Sequence, residues 1–109
     1  MTLHKDLADG RWFTFTLAEQ LGNVGAEFGR AIAARNRGDD VRFESAAARF
    51  YELMDLTVAD PRWRSLRRRE LARTAEICRE ALAAENEVED VALEKYFMQF
   101  ALLARAASM

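Results

Sequence analysis

Few residues in this chain could do catalytic or metal chemistry, because it contains one histidine, His4, and one cysteine, Cys78. One of each cannot complete a Cys/His zinc site, and a Ser-His-Asp triad or a Cys-His pair would need its histidine from the first residues of the chain. Cys78 lies among apolar residues at helical spacing, which favours an unreactive core thiol. We therefore expect no catalytic residue, no metal site and no cofactor, and we favour a protein that is not an enzyme.

Two carboxylates three residues apart, Glu52 and Asp55, project from the same side of a predicted helix and could hold Mg²⁺. Helical nucleotide pyrophosphohydrolases combine such a pair with a Glu-x-x-Glu pair on a preceding helix. Here the preceding helix offers Glu19, Asn23 and Glu27 instead. A magnesium-dependent nucleotide hydrolase is therefore the least supported of the functional alternatives.

Arginines crowd residues 62–73, where Glu70 is the one acidic residue. Cations at the start of a helix oppose its dipole, so the cluster does not serve helix stability. It could bind an anion or a nucleic-acid backbone; the candidate ligands are Arg64, Arg67, Arg68, Arg69 and Arg73. The alternative is solvation, or pairing with the acidic run from Glu85 to Glu94 across an antiparallel dimer.

A second polar group follows one edge of the first predicted helix. Glu19, Asn23 and Glu27 lie there, and Asp55 lies near the end of the second helix. If the protein has a polar ligand site, these four residues are its predicted members.

The elements that position these residues are helices. The 109 residues include one proline and five glycines, and alanine, leucine, glutamate and arginine dominate the composition. The sequence predicts an all-α, antiparallel, up-down-up-down four-helix bundle, with residues 1–15 as an N-terminal arm and residues 16–107 as a single domain. Trp12, Phe13 and Phe15 of the arm should pack on the bundle.

Helix boundaries follow from capping signals. Thr16 and Glu19 form a capping box for the first helix, and Gly38 suits its end. The second helix should start at Asp39 or Asp40, the third at Asp60-Pro61, and the fourth around Asp90. The predicted core stripes are Leu17, Leu21, Val24, Phe28 and Ala31; Phe43, Ala47, Phe50 and Met54; Leu71, Ala75, Cys78 and Leu82; and Leu93, Phe97, Phe100 and Ala104.

The fourth helix is apolar on two faces. Val91, Met98 and Leu102 lie nearly opposite its predicted core stripe. Such a helix is central or covered by a partner. We therefore predict a homodimer that buries Met98 and Leu102. The alternative is that the N-terminal arm covers this face with Trp12 and Phe13.

Three glycines, Gly22, Gly25 and Gly29, form a second stripe on the first helix. Each costs about 0.5–1 kcal/mol relative to alanine within a helix, so the stripe needs a physical reason. The usual reason is close approach of another helix, within the subunit or across a dimer, and we include these glycines in the predicted dimer interface. A ligand groove is the alternative.

The cellular setting follows from what the sequence lacks. No stretch approaches the roughly 20 apolar residues that span a bilayer, and residues 1–10 have no apolar run typical of a signal peptide. We expect a cytoplasmic protein without membrane contact. The net charge of −2 makes nucleic acid a less favoured partner, without excluding it.

Several segments resemble a family of short prokaryotic helical-bundle proteins. They are LAEQLGNVGAE (17–27), LMDLT (53–57) followed by Asp60, RELAR (69–73), and KYF (95–97) with Phe100 and Ala101. This resemblance implies a helical bundle and no particular chemistry. A looser similarity is to HEPN-type bundles, whose ribonuclease members carry an arginine followed closely by histidine on a late helix. No histidine follows an arginine here, so the similarity does not imply a ribonuclease.

Overall fold

The structure, a computed structural model, describes residues 9–84 and 86–108. The first eight residues of the predicted arm, including His4, and Glu85 of the acidic run lie outside the described residues.

Four α-helices follow a short 3-10 helix at Arg11–Thr14: α1 (Leu17–Asn36), α2 (Asp40–Ala59), α3 (Leu66–Ala83) and α4 (Glu87–Ala107). Residues 9–84 and 86–108 contain no strand. The predicted all-α four-helix bundle is confirmed. The helix contacts are uneven, because α1 packs extensively against α2 and α4, whereas α3 packs mainly against α2.

The starts of α1 and α2 agree with their capping signals. The Glu19 amide donates to Thr16 Oγ1 at 3.1 Å, and the Thr16 amide donates to Glu19 Oε1 at 2.9 Å. Asp39 caps α2 by accepting from the Arg42 amide at 3.1 Å. Gly38 between the two helices has a φ of +73°, which a glycine adopts without steric cost.

The predicted starts of the other two helices are wrong. Asp60 ends α2 instead of beginning α3. Its carboxylate accepts from the Arg62 amide at 3.0 Å, as a helix cap would, but residues 61–62 form a turn that does not continue as an α-helix. Residues 61–65 form a connection, and α3 begins at Leu66. α4 begins at Glu87, where Asn86 caps it by accepting from the Glu89 amide at 3.1 Å.

The core is built on the predicted stripes. Phe28 of α1, Phe50 of α2 and Phe97 of α4 form an aromatic cluster, with ring centroids 5.7 Å apart for Phe28 and Phe50 and for Phe28 and Phe97. The four predicted stripe residues of α3 are buried: Leu71, Ala75, Cys78 and Leu82. In α4, Phe97 is buried, while Leu93 and Phe100 are partly buried against the core.

The described part of the arm packs on the bundle, as predicted. Trp12 is fully buried, and Phe13 and Phe15 are partly buried against the core. The 3-10 helix lies against α2. None of the helices in the described part of the chain is long and apolar enough to cross a lipid bilayer.

Ser65, immediately before α3, has a φ of 55° and a ψ of −122°, and its side chain makes no capping hydrogen bond. Residues other than glycine rarely adopt this conformation, which costs on the order of 1–3 kcal/mol. We expect Ser65→Gly to raise the free energy of unfolding by about 1 kcal/mol, measured by urea denaturation. Ser45→Gly, inside α2, should lower it by about 0.5–1 kcal/mol. An equal loss in both variants would contradict the strain at Ser65.

Candidate functional site

The most conspicuous surface of the bundle is the outer side of α4. Of its 21 residues, only Asp90 and Phe97 are buried. Met98 is 57% exposed, Leu102 53% and Val91 47%. We call these three residues the α4 face. The described part of the arm leaves the face open, since residues 11–14 lie against α2.

A groove between α1 and α4 borders the α4 face. Gly22 and Gly25 form its floor because they allow α4 to approach closely: a Cβ on Gly22 would lie 3.1 Å from the Ala101 Cα, and one on Gly25 would lie 2.2 Å from the Phe97 Cβ. The groove has a volume of about 290 Å³ and is lined by Gly22, Gly25, Ala26, Gly29, Glu94, Phe97, Met98, Ala101 and Arg105.

The three glycines therefore have different environments. Gly22 and Gly25 serve helix packing within the subunit, which was one of the two possibilities for the stripe. Gly29 does not, because nothing lies within 4 Å of the position its Cβ would take. Packing among the described residues of one subunit thus leaves Gly29 unexplained.

A buried polar network, which the sequence did not predict, joins the arm to α1 and the end of α2. The Gln20 amide nitrogen donates to Asp60 Oδ2 at 2.9 Å and to the Trp12 carbonyl at 3.0 Å. The Trp12 indole donates to Thr57 Oγ1 at 3.1 Å, and the Trp63 indole donates to Gln20 Oε1 at 2.8 Å. Gln20, Thr57 and Asp60 are fully buried.

Arg62 completes this network by pairing with Asp60. Its guanidinium lies 2.7 Å from Asp60 Oδ2 and also donates to the Phe15 carbonyl at 2.6 Å. Burial by itself would raise the pKa of Asp60, but hydrogen bonds from Arg62 and Gln20, with the charge of Arg62, lower it below its ordinary value. The pKa of Arg62 is raised, mainly by its hydrogen bonds to Asp60. These groups are fully paired, so we assign the network to fold stability.

A second buried pair, Arg35 and Asp90, fixes the opposite end of the bundle. Arg35 of α1 forms an ion pair with Asp90 of α4 and donates to the carbonyls of Ala81 at 2.8 Å and Ala84 at 2.6 Å. It thereby satisfies carbonyl groups at the end of α3, which a helix terminus leaves without partners. Both polar networks hold helices together.

The predicted polar residues have different hydrogen-bond and ion-pair partners. Glu19 is used in the α1 capping box, and Asn23 donates to the Glu19 carbonyl at 2.8 Å. Glu27 pairs with Arg30 at 2.9 Å and with Arg49 at 3.1 Å. Asp55 is exposed and pairs with Arg79 of α3 at 3.4 Å.

Residues suited to catalysis or metal binding are also separated. Within residues 9–84 and 86–108, no group of three His, Cys, Asp or Glu side chains could hold a metal ion. Cys78 is fully buried, and burial together with the charge of Glu89 raises the pKa of its thiol to about 12. The thiol is therefore neutral and shielded at physiological pH.

The arginine cluster lies where α3 leaves the body of the protein. Arg62 pairs with Asp60, and Arg68 donates to the Asp60 carbonyl at 3.3 Å. Arg64 donates to the Pro61 carbonyl at 3.0 Å, and Arg67 lies over the Trp63 ring at 5.9 Å. Arg69 and Arg73 are exposed, with no ion pair to any described residue.

Comparisons of this chain with protein-family models, with curated proteins and with solved structures find no match. The resemblance to short prokaryotic helical-bundle proteins and to HEPN-type bundles therefore stays a prediction.

Proposed function

We propose that this chain is a non-enzymatic helical-bundle protein that acts through protein–protein contacts as a homodimer. The observation that carries the proposal is the α4 face, an apolar strip on the most exposed helix of the bundle. Exposed apolar patches of this kind mark interaction surfaces. Burying a fully exposed leucine or methionine is worth about 1.5–3 kcal/mol. The three residues of the α4 face are about half exposed, so covering them gives about half of that value for each.

A second copy of the chain fits this face because α4 carries a self-complementary charge pattern. The stripe Glu87, Val91, Glu94, Met98 and Arg105 follows helical spacing, with acidic residues at its start and a cation at its end. Two antiparallel α4 helices crossing at Met98 would place Arg105 of one copy opposite Val91 of the other, about one helical turn from its Glu87 and its Glu94. A parallel pair would place like charges together. The pattern therefore favours a two-fold, isologous contact.

Gly29 supports the same occupant. It lies beside Glu94 and Met98 in the groove, and its missing side chain leaves open space on the outer surface of α1. A helix of the second copy can approach α1 closely at this point, which gives the glycine a physical reason. In this dimer Met98, Leu102 and Gly29 lie at the interface, and Gly22 and Gly25 lie on the floor of the groove beside it.

Light scattering after size-exclusion chromatography, at micromolar concentration, tests the proposal. We expect twice the mass of the single chain for the wild type. Met98→Glu with Leu102→Glu should give the single-chain mass with unchanged helix content by circular dichroism. Val41→Glu with Leu66→Glu, which changes two exposed apolar residues elsewhere, should remain dimeric. A wild-type protein with the mass of one chain would overturn the proposal.

A charge swap tests the arrangement of the two copies. Arg105→Glu should weaken the dimer, because it faces acidic residues with another carboxylate, and Glu94→Arg should weaken it in the same way. The double variant restores opposite charges and should recover most of the wild-type affinity. Equal losses that add in the double variant would contradict the antiparallel arrangement.

A further inference from the structure

We propose that the exposed start of α3 binds the phosphate backbone of double-stranded DNA. Residues 62–73 would make this contact. They lie outside α4, so DNA binding does not depend on the proposed homodimer. These 12 positions include six arginines and one glutamate, in a chain whose net charge is −2. Six of the 16 lysines and arginines therefore lie within 12 residues, and the rest of the chain is acidic overall.

These arginines are largely free of carboxylate partners. The sequence left open solvation of the cluster, or its pairing with the acidic run from Glu85 to Glu94 across an antiparallel dimer. Among the residues that the structure describes, Arg62 alone of the six forms an ion pair, with Asp60. Arg64, Arg67, Arg69 and Arg73 form no ion pair with a described carboxylate.

The start of α3 projects from the bundle. Every residue from Arg64 to Glu70 is exposed, although the helix begins at Leu66. A helix that packed one side against the body would bury about every third or fourth residue. Here burial begins only at Leu71, so more than one turn is exposed to solvent, with Arg67 and Arg68 touching the connection that precedes it.

The arginines lie on both sides of this projecting turn. Arg67 and Arg69 are two residues apart, which places them on nearly opposite sides of an α-helix. A flat anionic surface would contact only one of these sides. A groove with phosphates on both walls would contact both sides of the helix. The DNA major groove, about 12 Å wide, admits an α-helix. The major groove of an RNA duplex is too narrow for this contact.

Trp63 stabilises the base of the projecting turn. Arg62 lies 4.5 Å and Arg67 5.9 Å from its ring centroid, on a side chain held by its hydrogen bond to Gln20. The arginine segment is thus attached to the buried network at its first residues, while Arg69 and Arg73 extend away from it. Arginine is suited to the proposed contact, because its planar guanidinium can donate two hydrogen bonds to one phosphate.

The test is binding of a mixed-sequence duplex oligonucleotide, measured by fluorescence anisotropy over a range of salt concentrations. With about four phosphate contacts, the affinity should fall on the order of a hundredfold between 50 and 200 mM salt. Arg67→Gln with Arg69→Gln and Arg73→Gln should lower the affinity at least tenfold and reduce the slope of log affinity against log salt by about three. Arg62 and Arg68 are left intact because they hold Asp60.

The matched control is Arg37→Gln with Arg42→Gln and Arg79→Gln, which removes the same charge from exposed arginines outside the cluster. It should bind nearly as well as the wild type. Absent or salt-independent binding, or equal losses in the two triple variants, would overturn the inference. So would tighter binding to single-stranded DNA, to polyglutamate or to vesicles containing anionic lipid. The mass of the triple variant, measured in parallel, reports separately on the homodimer.

Discussion

Replacing Asp60 with asparagine is expected to lower the free energy of unfolding by about 3 kcal/mol at neutral pH. The carboxylate is fully buried and accepts hydrogen bonds from Gln20 and Arg62. Asparagine removes its charge, leaves the Arg62 guanidinium without its ion-pair partner, and can turn an NH₂ group toward donors. Breaking a buried pair in this way costs about 3–5 kcal/mol, and the partial exposure of Arg62 places the expected loss near the lower limit.

The pH dependence gives an independent test of the same residue. A carboxyl whose pKa is lower in the folded chain than in the unfolded one stabilises the fold when it is ionised. This contribution is complete above the unfolded pKa of about 3.9 and is lost as the pH falls through the lower folded pKa. The difference between wild type and Asp60→Asn, measured by urea denaturation, should therefore shrink in acid.

Asp55→Asn is the matched control for Asp60→Asn. Asp55 is exposed, and its contact with Arg79 spans 3.4 Å, so the change should cost less than about 1 kcal/mol. Similar losses for the two variants, or a loss at Asp60 that is the same at neutral and acidic pH, would show that the buried network does not hold the arm as described.

Much of the fold could be predicted from the sequence because its determinants are local. The Thr16 capping box and the Asp39 cap act within three residues. The apolar stripes depend on the 3.6-residue period of a helix, and the residues predicted for α3, such as Leu71 and Cys78, are buried.

The prediction for the start of α3 failed at a residue that has one partner distant in the chain. Asp60-Pro61 is a typical helix start, but Asp60 is held by Gln20, 40 residues earlier, and by Arg62. No local pattern specifies the pairing with Gln20. One signal was available: Gln20 is a polar residue beside Leu21 on the buried side of α1, and a buried amide needs partners.

In the candidate site, too, features set by helical spacing could be predicted and contacts between helices could not. Exposure of Met98 and Leu102 could be predicted, because a helix in a bundle cannot bury two opposite faces within one subunit. The partners of the predicted polar residues could not be predicted. Glu27 is held by Arg49 of α2, a contact between helices that spacing along α1 does not reveal. The glycine stripe indicated close approach, but only the structure separates Gly25, packed against Phe97, from Gly29.

The different surroundings of Gly25 and Gly29 lead to the second large effect on stability that we expect. Gly25→Ala should lower the free energy of unfolding by about 2–3 kcal/mol, although alanine is the better helix former. The new Cβ would lie 2.2 Å from the Phe97 Cβ and 2.7 Å from its Cγ. Phe97 cannot move aside, because its ring packs against Phe28 and Phe50 in the core. Relief requires α4 to move away from α1.

Gly22→Ala and Gly29→Ala are the matched variants. Urea denaturation of dilute protein ranks the free energies of unfolding of the three variants. Gly22→Ala should have an intermediate effect, because its Cβ would lie 3.1 Å from the Ala101 Cα. Gly29→Ala should raise the stability of a single subunit by about 0.5–1 kcal/mol, since its Cβ meets nothing within 4 Å. Equal stabilities for Gly25→Ala and Gly29→Ala would contradict the close contact of α1 with α4. A gain in subunit stability by Gly29→Ala, accompanied by a weaker dimer, would locate the second copy at this glycine.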